Sequence, residues 1–359
     1  MTPPRGTGAL RVASLDQYRG YTMLAMFVVN FAGDFAALPA LFKHHNTHNS
    51  YADTIMPHFF FAAGFAMRLG VWRALGDGAG PAVRRTVARR AVALVLLGVV
   101  VHTLDGRYAS WAALQAAGWD GVLGTAFRQN VFQALTHIGL TTLWLAPVIH
   151  RRTRDLLLFA AASGALHLAL SAWFWYDQLM AWRVIDGGAL GFLSWTLPMV
   201  TGAAACDVVR DRGAAAAWRP LAAWGAAAAV AGYALSCVHG IEAPPFVPPW
   251  HPVDLWTMTQ RAGSLSYQLF SAGFSLLVYV AFLGACDVRR PAWRSGFLQT
   301  LGINPLAGYL LHFMVWGLVG PFAPADAPGW YATAITAVFV LITWRLLRAL
   351  EARQLYLRL

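Results

Sequence analysis

Charge is what this 359-residue sequence has least of. Asp, Glu, Lys and Arg together make up 12% of it, against 58% hydrophobic residues and a mean hydropathy of +0.51. A soluble domain carries roughly 25% charged residues, so a soluble globular class is excluded. Cysteine is nearly missing too. Cys206, Cys237 and Cys286 are the only three, two expected near inner helix ends and one near an outer end, so no disulfide framework follows. There is no HExxH pattern to suggest a zinc hydrolase, no internal repeat, and no connection long enough for a soluble domain.

Long apolar runs are abundant. Ten segments approach the length of about 20 residues needed to cross the hydrocarbon core as a helix: 21–41, 54–72, 88–104, 130–149, 155–174, 189–206, 219–238, 265–285, 297–318 and 329–346. The expected class is an all-α polytopic membrane protein, a single integral-membrane domain over 1–359 with ten or eleven transmembrane helices. The first span is too long and too polar for a cleaved signal peptide and reads as a signal anchor.

The net charge of +11 reflects topology rather than a nucleic-acid partner. With residues 1–20 cytoplasmic, only Lys43, Arg107, Arg128, Arg183 and Arg261 fall on the outer side, leaving 22 of the 27 basic residues inside. The positive-inside rule describes that bias and places both termini in the cytoplasm, most simply across a bacterial inner membrane. The outer loops fall near 42–53, 105–129 and 239–264. The second, with Trp111 and Trp119, should include a short interfacial helix. The third contains APPFVPPWHP, whose prolines forbid a regular helix and favour an extended cap. Trp prefers the membrane interface, which accounts for many of the 16 tryptophans.

Polar groups inside apolar spans are costly and call for a use. Asn30 and Asp34, spaced i and i+4, should share a helix face. The loop from Phe42 to Asp53 contains His44, His45 and His48. An imidazole titrates near neutrality and can take a proton from an attacking hydroxyl or amine, or carry an acyl group itself. Asp34 or Asp53 would orient it. A metal held by His44, His48 and Asp53 is the alternative use of the same groups. Asp16 and Arg19, at the inner edge, either pair locally or face an anionic ligand. His58, His102, His137 and His167 read individually as packing residues. In the ninth span Pro305 should break the helix, with Asn304, Gly308 and His312 on one face lining a cavity.

These residues resemble a family. Ser14-Leu15-Asp16 with Arg19-Gly20, Val29-Asn30 with Gly33, Phe42-Lys43-His44, and Ala52-Asp53 followed by Pro57, Phe59, Phe61 and Gly64 are similar to the motifs of the transmembrane heparan-α-glucosaminide N-acetyltransferases and their bacterial relatives. Phe132–Leu140, the segment Ile185-Asp186-Gly187-Gly188-Ala189-Leu190 with Leu197-Pro198 and Gly202, and Gly302–Tyr309 with His312 follow in the family's order. The resemblance implies transfer of an acetyl group from cytosolic acetyl-CoA to a sugar on the far side. It makes His44 the catalytic histidine and puts Asn30, Asn304 and His312 around the acyl-CoA. The loop is about one residue shorter than in the family and lacks its Trp-Asn-Gly, so His45 stays beside His44 as a candidate. Thr136-His137 stands where the family has Gln-Arg.

The expectation is a membrane acyltransferase that moves an acetyl or short acyl group from cytoplasmic acyl-CoA to an amine or hydroxyl of an extracytoplasmic sugar or lipid. His44, His45, Asp34 and Asp53 would be catalytic. Asn30, Asn304, His312, His48 and His137 would bind substrate, Arg19 and Asp16 the donor, and no resident metal is required. A general-base route and a ping-pong acyl-histidine route both stand. Membrane lipids, acyl-CoA and the acceptor are the partners, with a homodimer compatible. A proton-coupled transporter and a non-catalytic assembly subunit are the rival readings.

Overall fold

Every regular element among the described residues is helical, as expected where backbone polar groups must be satisfied without water. The computed structural model describes residues 12–76, 80–103, 108–125, 131–182, 184–289 and 295–357. Arg107, Arg128, Arg183 and residues 1–11 therefore lie outside the described residues, as does part of the 105–129 loop.

The helices are α1 (Ala13–Ala32), α2 (Ile55–Gly76), α3 (Gly80–Thr103), α4 (Trp111–Thr125), α5 (Ala134–Leu145), α6 (Thr153–Leu170), α7 (Tyr176–Ala181), α8 (Gly191–Arg212), α9 (Ala214–Ser236), α10 (Leu265–Leu283), α11 (Gly296–Ile303), α12 (Pro305–Val319) and α13 (Gly329–Ala352). Six are long and apolar enough to cross a membrane: α2, α6 continued through a π turn into α7, α8, α10, α12 and α13. The chain is thus an integral-membrane helical bundle in composition and length. Helices α1, α3 and α9 fall short of that apolar standard but pack on helices of the bundle, α1 against α2, α3 against α5 and α9 against α10.

The first helix differs most from the sequence reading. It begins at Ala13 and ends at Ala32, not over 21–41, so Asp16 and Arg19 are inside it and Asp34 is beyond it. Tertiary contacts end it: Phe35 folds back onto Phe31 at 5.9 Å, and the Ala36 N–H donates to Ala325 O at 2.7 Å, between α12 and α13. The ninth span is broken as Pro305 requires, with Asn304 at φ −127° and ψ 58° between α11 and α12.

Helices α2 and α8 form the spine of the bundle. A Cβ on Gly64 would run into Met199 O, and one on Gly202 into Phe61 O. Each glycine thus lets the facing backbone approach, the close packing that small residues permit between membrane helices. At the arginine-rich end the pair is locked by charge. Buried Arg68 donates to both Asp207 oxygens at 2.8–3.1 Å and to Arg151 O at 2.8 Å. Trp72 and Thr153 complete the shell of Asp207 at 2.7 and 2.6 Å.

Candidate active site

A short local motif sets the chemistry at the opposite end. The Ser50 N–H and Oγ–H donate to Asp53 Oδ2 at 2.8 and 2.9 Å, and the Asp53 N–H returns to Ser50 Oγ at 3.3 Å. This reciprocal arrangement is a capping box, legible as Ser-x-x-Asp ahead of α2. It fixes a 1% exposed carboxylate, and Tyr267 Oη–H pins the Asp53 carbonyl at 2.6 Å. The other oxygen, Oδ1, lies 2.7 Å from His44 Nδ1. A carboxylate only accepts, so the proton of this bond sits on Nδ1 and the lone pair on Nε2. The His44 side chain is half exposed, and the partial desolvation on its cavity side disfavours the imidazolium. The Asp53 hydrogen bond and charge, with a further contribution from Asp186, outweigh it and hold His44 above the ordinary histidine range.

His44 and Asp53 line a cavity of about 270 Å³ with Met26, Asn30, Phe59, Gln133, Asp186, Gln260, Arg261 and Tyr309. A second, adjoining cavity of about 170 Å³ lies toward the arginine-rich end, lined by Arg19, Thr22, Ala62, Ala63, Ala66, Leu94, Ile138, Pro305 and Leu306. Phe59, Ala134 and Tyr309 border both. Helix α1 contributes Arg19 and Thr22 to one and Met26, Val29 and Asn30 to the other, so the cavities are stacked along it. At about 1.5 Å per residue, Arg19 and Asn30 are roughly 16 Å apart along the axis. The junction residue Tyr309 shares a hydrogen bond of 2.9 Å with His102 Nε2.

The structure thus brings together His44, Asp53, Asn30 and His45 in one cavity and places Arg19 in the adjoining one. His45 is turned to Ala40 O at 2.9 Å and stacks on His48 at 4.4 Å. His48 faces a small pocket under the proline-rich cap instead. Asp34 is exposed beyond the end of α1 and lines neither cavity, because the helix that would have put it on the face of Asn30 has already ended. Asn304 ties down the C-terminal segment, donating to Leu355 O at 3.0 Å and accepting from Leu357 N at 3.1 Å. His312 is buried against Phe27 and bonded to Tyr309 O, one turn away from the cavity wall. His137 is buried near Trp195, and Asp16 lies in the first turn of α1. Among the described residues, no group of three or more His, Cys, Asp or Glu is arranged to hold a metal.

Asp186, Gln260, Gln133 and Tyr309 escaped the sequence reading as site residues. Asp186 and Gln260 are 74 positions apart and hydrogen-bonded across the cavity, a pairing no local pattern encodes. A local signal did exist for Asp186: an acid followed by two glycines, immediately before an apolar span. Compared with known proteins, the chain matches no protein-family model and no curated protein.

Proposed function

We propose that this protein is a polytopic membrane acyltransferase, with ten or eleven spans and both termini cytoplasmic, in a bacterial inner membrane. It takes an acetyl or short acyl group from acyl-CoA on the arginine-rich side and delivers it to an acceptor on the His44 side. One observation carries this reading: a histidine–carboxylate pair lines a cavity that adjoins, across Phe59, Ala134 and Tyr309, an apolar slot lined by Arg19. A His–carboxylate pair can also relay protons in a carrier; the adjoining apolar slot with Arg19 is what favours an acyl-CoA donor.

The slot suits the donor. Its alanines and Leu94 match an acyl chain and pantetheine arm, while Arg19 offers a charge-assisted donor to the polar end of such a molecule. A volume of about 170 Å³ admits the thioester arm and leaves the nucleotide at the arginine-rich surface. His44 Nε2 acts as general base. It removes a proton from the acceptor nitrogen or oxygen as that atom bonds to the acyl carbon. The C–S bond breaks, and the proton passes to the departing thiolate. Asp53 holds the ring in the productive tautomer and stabilises the transient imidazolium.

The test uses purified protein with radiolabelled acetyl-CoA, comparing wild type with His44→Ala and His45→Ala. Transfer or hydrolysis in the wild type and loss in His44→Ala supports the reading. No acyl-CoA turnover or binding in the wild type sinks it. Label retained covalently without acceptor would replace the general-base route by an acyl-histidine.

A further inference from the structure

The arginine-rich end carries a groove that acyl transfer does not use. It lies between the start of α9 and the end of α10, has a volume of about 620 Å³, and includes Ala215, Ala216, Trp218, Arg219, Val288 and Arg289 among its walls. Helix α10 does not end beside it as a regular helix. It runs on from Gly284 to Arg289 as a π turn, a rare departure that is frequent at functional sites. Trp218 is pinned against this turn. Its Nε1 donates to Val280 O at 3.1 Å, and a Cβ on Gly284 would lie 2.6 Å from that same nitrogen. The glycine thus lets the indole seat, and Arg219 and Arg289 come to one opening from two different helices.

Charge in this groove is one-sided. Among the described residues its walls hold two guanidinium groups and no carboxylate. Both arginines are exposed, and neither has an ion-pair or hydrogen-bond partner among the described residues. The acid closest in sequence to Arg289, Asp287, accepts from the Ser14 N–H at 3.3 Å, and Asp211 pairs with Arg210 at 2.7 Å. Like charges at one opening repel unless an anion lies between them. The guanidinium fork matches phosphate oxygens through paired N–H donors. What leads away from the groove is apolar. Ala223, Ala227 and Val230 follow Arg219 at i+4, i+8 and i+11, share its helix face and are all exposed. Trp218 beside the arginines suits the depth of a membrane interface. A phosphate with an apolar tail meets both halves of this pattern, and a free phosphate meets only the first.

We propose that this groove is a binding site for an anionic diacyl phospholipid of the leaflet at the arginine-rich face. Arg219 and Arg289 take the phosphodiester from two sides, and one acyl chain lies along Ala223, Ala227 and Val230. Basic pockets between membrane helices recognise such headgroups by the same chemistry. A zwitterionic lipid brings its own cation to the two arginines and is disfavoured. The site is also tied into the bundle. The π turn that carries Arg289 holds the first turn of α1 through Asp287 and Ser14, and α1 lines both cavities. A lipid that binds only the folded arrangement therefore stabilises it.

Binding of this kind needs no acyl transfer, so the test uses the full-length protein, purified in detergent and delipidated, without turnover. It is titrated with mixed micelles of phosphatidylglycerol or phosphatidylcholine, and separately with inorganic phosphate. Retained lipid is counted by native mass spectrometry and thermal midpoints are recorded. Arg219→Gln combined with Arg289→Gln is compared with Arg152→Gln combined with Arg154→Gln, which removes the same charge from exposed positions at the start of α6. The wild type should hold phosphatidylglycerol roughly tenfold or more tighter than phosphatidylcholine. The Arg219/Arg289 variant should lose that preference and the Arg152/Arg154 variant keep it. Ala216→Trp fills the groove from an exposed position and leaves both charges in place, and it too should abolish the preference. Equal binding of the two lipids by the wild type, an equal loss in both double variants, or a preference retained in Ala216→Trp overturns the proposal. Inorganic phosphate that stabilises as well as phosphatidylglycerol at equal concentration replaces the lipid by a soluble anion and overturns it as well.

Discussion

Replacing Asp186 by Asn should make the protein more stable at neutral pH, and by an amount that can be worked out. Burial pushes the Asp186 carboxyl from its ordinary 3.8 up to about 6, against the opposing effects of the Gln260 hydrogen bond and the His44 charge. A raised acid binds its proton more tightly when folded. Below pH 3.8 both states are protonated and nothing is lost. Between 3.8 and about 6 the folded state is progressively penalised, and above about 6 the whole penalty is present. Two units at about 1.4 kcal/mol each amount to roughly 3 kcal/mol. For a chain of this length, with an unfolding entropy of about 2 cal/mol/K per residue, that is a shift of about 4 °C in Tm. The assay is thermal unfolding of detergent-solubilised protein at pH 7.5 and at pH 3.5, wild type against Asp186→Asn. The variant should melt higher at pH 7.5 and level with wild type at pH 3.5. A variant that melts lower at pH 7.5, or a gain that persists at pH 3.5, would refute the claim that Asp186 is an under-compensated buried charge. A residue retained at such a loss of stability is the usual mark of a working site.

The remaining predictions concern the base, the donor slot and the lock. Asp53→Asn should present an amide N–H to His44 Nδ1, reverse the tautomer and lower kcat by about 10²–10⁴, with its acid limb moved to lower pH because the group that raises His44 is gone. A kcat within threefold of wild type and an unmoved acid limb would remove Asp53 from the mechanism. In the wild type the rate should rise with pH through a value above the ordinary histidine 6.5, since His44 must be neutral to act; a profile flat from pH 5 to 9 would exclude it as the base. Tyr309→Trp should plug the junction of the two cavities and suppress transfer while acyl-CoA still protects the protein thermally; unimpaired transfer would mean that the acyl group travels elsewhere. Asp207→Ala leaves Arg68 buried without its countercharge and should destabilise by roughly 3–5 kcal/mol, which Arg68→Met combined with Asp207→Leu largely recovers; denaturation midpoints of the two variants against wild type check both parts.

What was legible in the sequence is what local chemistry encodes. Apolar runs near 54–72, 219–238, 265–285 and 329–346 became α2, α9, α10 and α13 to within a few residues, because length and hydropathy are properties of a segment alone. The interruption of the ninth span followed from Pro305 for the same reason. The sequence named Asp34 and Asp53 alike as partners for the histidine loop; only the structure shows that a capping box fixes Asp53, nine residues on, against His44. Where the first helix ends was not legible: Gly33 still has helical φ and ψ, and it is the stacking of Phe35 and the reach of Ala36 to Ala325 that turn the chain. Asp34 left the site for that reason alone.

Sequence by itself determined that this chain is a membrane bundle of helices, that its charges divide unevenly between the loops, and which loop concentrates histidine. Only tertiary structure decided which histidine meets a carboxylate, which way the later helices turn their polar groups, and that Asp186 and Gln260 face that histidine across a cavity. The division has one physical cause. Helix formation, capping and breaking depend on neighbours within a few residues. The rotation of one helix against another depends instead on how closely two backbones can approach, as at Gly64 and Gly202. Contacts between elements distant in sequence likewise tied Asn304 to the C-terminal segment and packed His312 against Phe27, while Asp186 was brought to the cavity of His44.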